Sequence, residues 1–136
     1  MITTITLRYE WDMGHRLPLH DGKCRRLHGH RYVSEVDVTG PLVTHGPSTG
    51  MVADFTDVKH FVKLVIDGQW DHRTMLWEQD ELYAASMDPD YGIFRVPFMP
   101  TAENIAAELL RLLRPNMPVT RVKVWETPSG SAEVRL

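Results

Sequence analysis

The sequence predicts an α+β domain of order β-β-α-α-β-β, an antiparallel sheet with both helices packed on one face. Three observations carry this. Residues 2–13 and 29–40 alternate in side-chain character at the two-residue period of a strand. Residues 54–66 and 101–113 carry apolar side chains at helical spacing behind Asp54 and Thr101, two good N-cap residues. Residues 119–127 and 131–136 return to strand character on either side of Pro128-Ser129-Gly130.

Taken in order, the first strand puts Ile5, Leu7, Tyr9 and Trp11 on one face, and Gly14 is expected to break it. Residues 16–28 are irregular, with Pro18, Asp21-Gly22 and a Lys/Arg cluster. In the second strand Tyr32, Ser34, Val36 and Val38 share a face, and Gly40-Pro41 ends it. Asp54 caps the first helix, Asp57 sits in its first turn, and Phe55, Val58, Val62, Val65 and Ile66 form a core-facing stripe. That helix stops near Gly68, before Trp70-Asp71-His72. Residues 73–99 carry little pattern, except that Gly92–Pro97 fits a short edge strand, because Pro97 cannot donate to a ladder. Thr101 caps the second helix, whose stripe is Ile105, Ala106, Leu109, Leu110 and Leu113, and Pro115 and Pro118 end it. On the third strand of the order, Val122, Val124 and Glu126 share a face. A four-stranded sheet leaves two open edges, and joining edges between subunits is one way to cover them.

The chain has 136 residues, the size of one domain spanning 1–136. Apolar content is 43%, charged content 24% and net charge −3, so the chain lacks a basic footprint for nucleic acid. No run approaches the ~18 apolar residues of a membrane span. The first ten residues lack the basic start and apolar block of a signal peptide. One cysteine forms no internal disulfide, which fits a cytoplasmic location.

His28-Gly29-His30 places two imidazoles on one face of a strand, a good pair of zinc ligands. Gly29 between them permits close approach of backbone or substrate. A third ligand is needed, and spacing alone leaves His15 and His20 as candidates. Cys24, four residues before His28, lies in a basic loop with Lys23, Arg25 and Arg26, where neighbouring cations favour a thiolate. Glu126 is a carboxylate on an otherwise core-facing strand, costly unless paired. Its nearest cations in sequence, Arg121 and Lys123, alternate to the opposite face.

Six short motifs in order resemble the 6-pyruvoyl-tetrahydropterin synthase/6-carboxytetrahydropterin synthase family. Met13-Gly14-His15-Arg16-Leu17 resembles its "aaHrL", and Lys23 to His30 resembles its "kCxxlHGH". Gly50 to Phe55 resembles "GmvxDF", and Asp71-His72 resembles "lDH", with Trp70 where leucine is usual. Pro100 to Asn104 resembles "PTxEn", and Val124 to Thr127 resembles "vxET". The short gap from Cys24 to His28 is similar to that of the bacterial 6-carboxytetrahydropterin synthases of the queuosine and 7-deazaguanine pathway. A third branch, serving folate, usually carries glutamate near the position of Cys24. The chain departs from compact members in residues 77–99, which are longer, and in Pro128-Ser129-Gly130.

The resemblance implies a tunnelling fold (T-fold) whose sheets close into a barrel of subunits, a homo-oligomer, a hexamer of two trimers. It implies one Zn2+ held by His15, His28 and His30. Cys24 would be the general base, with Asp71 and His72 of a neighbouring subunit completing the proton relay. Glu126 would hold the amino-pyrimidine edge of a pterin, with Thr127 and Thr101 adding hydrogen bonds. Lys23 and Arg25, with Arg26 and Arg16 near, would meet a triphosphate. The implied reaction converts 7,8-dihydroneopterin triphosphate to 6-carboxy-5,6,7,8-tetrahydropterin, releasing acetaldehyde and triphosphate. Alternatives are a 6-pyruvoyl-tetrahydropterin synthase, which keeps the side chain, a non-catalytic pterin-binding module, and a simple zinc hydrolase, which would need no Glu126 pocket.

Overall fold

The structure, a computed structural model, describes residues 1–82 and 87–136. Its elements are β1 (Thr3–His15), β2 (His28–Gly40), α1 (Phe55–Val65), β3 (Arg73–Trp77), β4 (Ile93–Val96), α2 (Ala102–Leu113), β5 (Val119–Thr127) and β6 (Gly130–Arg135). The strands form one sheet in the order β4-β3-β1-β2-β5-β6. The α+β class holds, and the six expected elements are present in order, but two short strands lie between the helices and the sheet has six strands rather than four.

The long antiparallel ladder of β1 and β2 runs from Thr3 opposite Gly40 to His15 opposite His28. Its alternation buries Trp11, Met13 and His15 from β1, and Tyr32, Ser34, Val36 and Val38 from β2. Val122 and Val124 of β5 extend the same apolar face. Both helices supply the opposing layer, with Val58 and Val62 from α1 and Ile105, Ala106, Leu109 and Leu113 from α2. Each fully buried Val, Ile or Leu contributes about 1.5–3 kcal/mol relative to exposure. Asp54 caps α1 by accepting from the Thr56 N–H at 2.8 Å, and Thr101 caps α2 by accepting from the Asn104 N–H at 3.2 Å. Among the described residues, no helix is long and apolar enough to cross a membrane.

Three expectations need correction. The sheet is mixed at one edge, because β3 runs parallel to β1 and β4 parallel to β3. The Gly92–Pro97 segment is an edge strand as expected, but β3 was not foreseen. Gly14 does not break β1. The strand passes through it, paired with Gly29, and a Cβ on Gly14 would lie 2.9 Å from Thr74 Oγ1 and 3.3 Å from the His28 carbonyl oxygen. Close approach of β3 therefore demands the glycine. Phe55 leaves the core stripe: in the first turn of α1 it is exposed and lines a surface groove with Ile5, Leu42 and Met51. Within the long stretch 77–99, residues 83–86 lie outside the described residues.

Candidate functional site

The end of β1, the start of β2 and the end of β5 converge on the helix-facing side of the sheet. His15 lies opposite His28, and Met13 opposite His30, so the two-residue period brings three imidazoles together. Their ring centroids are 4.6, 5.1 and 4.9 Å apart, and one ligand atom from each fits within a 4.8 Å span. His15 is buried, while His28 and His30 are partly exposed.

Hydrogen bonds set the tautomers. His15 Nδ1 donates to the Pro100 carbonyl at 2.7 Å, and His28 Nδ1 donates to the Arg26 carbonyl at 2.6 Å. A carbonyl only accepts, so both Nδ1 atoms carry protons and both Nε2 atoms present lone pairs. Those two Nε2 atoms face each other at 3.1 Å. Two lone pairs at that distance need a cation between them. A proton is disfavoured, since burial, with a smaller contribution from the neighbouring histidines, lowers His15 to about 4 despite the Pro100 hydrogen bond. Burial and His28 also lower His30. Three imidazoles, two of them oriented by carbonyls behind them, fit a divalent metal with an open coordination position. His20 is not in the cluster. Its exposed ring accepts from the Gly22 N–H at 2.8 Å and belongs to its own turn.

Glu126 follows Val122 and Val124 on the same side, at an irregularity where Trp125 pairs with Ser131 but Thr127 with Gly130. Such bulges re-aim side chains near functional sites. Its carboxylate oxygen lies 3.8 Å from His15 Nε2. Burial first, then the Glu103 charge, raises Glu126, while His28 lowers it. As expected, Arg121 serves other carboxylates: it binds Glu133 at 2.6 Å and Asp37 at 3.1 Å, and Lys123 lies 4.4 Å from the Trp125 ring. A cavity of about 680 Å³ opens beside His30 and Glu126, lined also by Arg31, Trp125 and Thr127, a size suited to a small ligand.

Asp71 and His72 follow a π-helical turn, Ile66–Trp70, that extends α1. Asp71 Oδ1 accepts from the Asp12 N–H at 3.1 Å and contacts His72 Nδ1 at 3.0 Å. His72 has φ 62, and its N–H donates to the Asp12 carbonyl at 2.8 Å. A left-handed conformation is uncommon outside glycine, and here the β1 bonds hold it. The His72 ring is 76% exposed. It shares an open cleft of about 440 Å³ with His30, Gly29 and Thr74.

Other predicted residues are less assembled. Lys23 and Arg25 are exposed on a short 3₁₀ turn, with Cys24 half-buried between them. Among the described residues, no hydrogen bond joins Cys24 to Asp71 or His72. The Thr101 hydroxyl is occupied as a cap, and exposed Thr127 contacts the Ser129 hydroxyl at 3.4 Å. Arg16 does not stand free for a phosphate. Its Nε and Nη2 bind the two carboxylate oxygens of buried Asp80 at 2.8 and 2.7 Å. Burial pushes Asp80 up, but Arg16 and the Leu82 N–H outweigh it and hold the group down. Sequence reasoning missed Asp80, the Pro100 and Arg26 carbonyls and the charge of Glu103 beside Glu126. Only Pro100 had a signal, as the residue before the Thr101 cap.

A family description of 6-pyruvoyl tetrahydropterin synthase matches residues 4–136. The chain belongs to the 6-pyruvoyl tetrahydropterin synthase family. Within and around it, the chain is 35% identical to 6-carboxy-5,6,7,8-tetrahydropterin synthase of Haemophilus influenzae, covering 95% of this chain and 96% of that protein. It is 37% identical to the protein of the same name from Rickettsia conorii, covering 95% and 97%. The fold matches an uncharacterized protein of Wolinella succinogenes with a TM-score of 0.85 at 25% identity, over 99% and 98% of the two chains. It matches Caenorhabditis elegans 6-pyruvoyl tetrahydropterin synthase with a TM-score of 0.74 at 27% identity, over 99% and 96%. The T-fold expectation is thereby met.

Proposed function

We propose that this chain is a zinc-dependent 6-carboxy-5,6,7,8-tetrahydropterin synthase, a carbon–carbon lyase of 7-deazaguanine (queuosine) biosynthesis. It would convert 7,8-dihydroneopterin triphosphate to 6-carboxy-5,6,7,8-tetrahydropterin, acetaldehyde and triphosphate. The observation that carries this is the placement of Glu126 3.8 Å from His15, within a three-imidazole cluster. Three imidazoles able to hold a metal and a carboxylate able to grip a pterin edge stand side by side. The 35–37% identity to relatives of that name over 95% of the chain favours the carboxy reaction over the pyruvoyl one.

His15, His28 and His30 would hold the metal, and three imidazole nitrogens favour zinc. Bound there, zinc supplies Lewis-acid polarisation of substrate side-chain oxygens. Glu126, as carboxylate, accepts two N–H bonds from the amino-pyrimidine edge and fixes the ring. Cys24 takes a side-chain proton, and His72 returns one. Asp71 holds His72 Nδ1 at 3.0 Å and orients its ring. Lys23 and Arg25 meet the triphosphate, and Thr101 and Thr127 add hydrogen bonds to the ring. Because Cys24 and His72 are not joined within one chain, the site is shared between subunits, in a hexamer of two trimers. The lone cysteine fits a reducing cytoplasm.

Mass spectrometry of the products from 7,8-dihydroneopterin triphosphate tests the reading. Acetaldehyde with 6-carboxytetrahydropterin is expected. Triphosphate release with the side chain retained would make it a pyruvoyl synthase. Binding without turnover by zinc-loaded protein would make it a pterin-binding module.

A further inference from the structure

Three consecutive carbonyls of the turn that carries Cys24 are each held by a residue in or beside the histidine cluster. The Leu17 N–H donates to the Cys24 carbonyl at 2.8 Å. Arg16 Nη1 donates to the Arg25 carbonyl at 3.4 Å. His28 Nδ1 donates to the Arg26 carbonyl at 2.6 Å. Arg16 and Leu17 follow His15 directly at the end of β1, so both anchors leave the cluster within two residues. The turn also closes on itself, with the Arg26 N–H donating to the Lys23 carbonyl at 2.9 Å.

The Arg16 side chain is itself fixed from a second direction. Its Nε and Nη2 engage both carboxylate oxygens of buried Asp80 at 2.8 and 2.7 Å. Asp80 is anchored in turn: its N–H donates to the Trp77 carbonyl at 2.9 Å, and its Oδ1 accepts from the Leu82 N–H at 2.9 Å. A two-point grip on a planar guanidinium sets its orientation, and with it the aim of the remaining nitrogen. Fastening the segment after β3 needs only the two-point grip, yet Nη1 reaches the Cys24 turn as well. We propose that Arg16, oriented by Asp80, is a positioning residue that holds the Cys24 turn in place beside the three imidazoles. This rests on the reading of Cys24 as the base of the pterin reaction and names the pair that sets where its thiol stands. Proton transfer requires hydrogen-bond reach, and a displacement of about 1 Å can cost on the order of 10²-fold in rate.

The test uses the zinc-loaded full chain, wild type, Arg16→Lys and Asp80→Asn. Arg16→Lys keeps a charge opposite Asp80 but loses the fork that also reaches Arg25. Asp80→Asn keeps the side-chain size without the charge, and carries the same readouts should Arg16→Lys fail to fold. Leu113→Ala, a buried truncation at the opposite end of α2 from Pro100, controls for loss of stability alone. With 7,8-dihydroneopterin triphosphate, both pair variants are expected to lose about 10- to 100-fold in kcat, with KM changed less than about twofold. Iodoacetamide alkylation of Cys24, the one cysteine of the chain, reads the turn without substrate. It should run at least about threefold faster in both pair variants, because the turn opens more readily. Zinc content should match wild type throughout, and Leu113→Ala, below its melting transition, should keep wild-type kcat and alkylation rate. Wild-type values in the pair variants, or equal changes in Leu113→Ala, would make the pair merely structural and overturn the assignment. A raised KM at unchanged kcat would make Arg16 a substrate-binding group and overturn it as well. Wild type without turnover would overturn the enzymatic reading, and the alkylation rates would then decide the positioning of the turn by themselves.

Discussion

His15 faces His28 across the β1–β2 ladder with their unprotonated Nε2 atoms 3.1 Å apart. Two ring nitrogens turned towards each other by backbone carbonyls behind them are placed where they could hold a cation. His28→Ala should therefore lose bound zinc, from about one per chain to near none by elemental analysis, together with activity. His20→Ala should keep both. Full zinc in His28→Ala, or loss in His20→Ala, would mean the wrong imidazoles are assigned.

The same burial gives the metal-free protein a pH signature. His15 falls from 6.5 to about 4 in the folded chain. Between those values the unfolded chain binds the extra proton, so stability is full above about pH 6.5 and is lost as pH falls towards 4. A shift of this size corresponds to about 3 kcal/mol. Urea titrations of metal-free protein across this window should show the loss, and His15→Asn should flatten it.

Glu126→Gln should weaken pterin binding by at least about tenfold, since one acceptor becomes a donor facing a donor. Zinc content should not change. Glu103→Gln removes a charge that raises Glu126, so Glu126 should ionise at lower pH and pterin binding should extend further into acid. A binding profile identical to wild type would mean that Glu103 does not govern Glu126.

The sequence revealed what depended on period and local chemistry. The six elements of the order, both caps, the shared face of His28 and His30, and the inward aim of Glu126 follow from alternation and capping. β3 did not, because adjacent Met75 and Leu76 are both buried, as in strands covered on both faces, and the two-residue period disappears. Gly14 was misread because a glycine required by a neighbouring strand has the same letter as one that ends a strand. The Arg16–Asp80 pair spans 64 residues, a separation no local pattern encodes. The tautomers depend on carbonyls of Arg26 and Pro100, and every residue carries a carbonyl.

Arg16 and Asp80 supply a separate prediction. Breaking a buried pair from one side leaves an uncompensated charge and costs about 3–5 kcal/mol. Asp80→Ala should lower unfolding free energy by that order in denaturant titrations. If Arg16 instead served a phosphate, the chief effect would be on substrate affinity, with stability little changed.

Cys24→Ala should keep zinc and pterin binding but lose roughly 10²–10⁴-fold in turnover. His72→Ala should behave alike. Mixed after verified subunit exchange, the two inactive variants should recover partial activity, because some interfaces join an intact cysteine to an intact histidine. No recovery, or a monomer by light scattering, would contradict a shared site.

Trp11, Met13 and His15 occupy successive inward positions of β1, so the apolar layer and the proposed metal ligand share a single reading frame. Slipping β1 by one residue against β2 would turn all three outward together. A chain that mispairs here cannot leave behind a folded but metal-free impostor: it loses its interior in the same step. For that reason one-residue insertions or deletions between Trp11 and His15 should be far rarer among natural relatives than replacements of His15 itself.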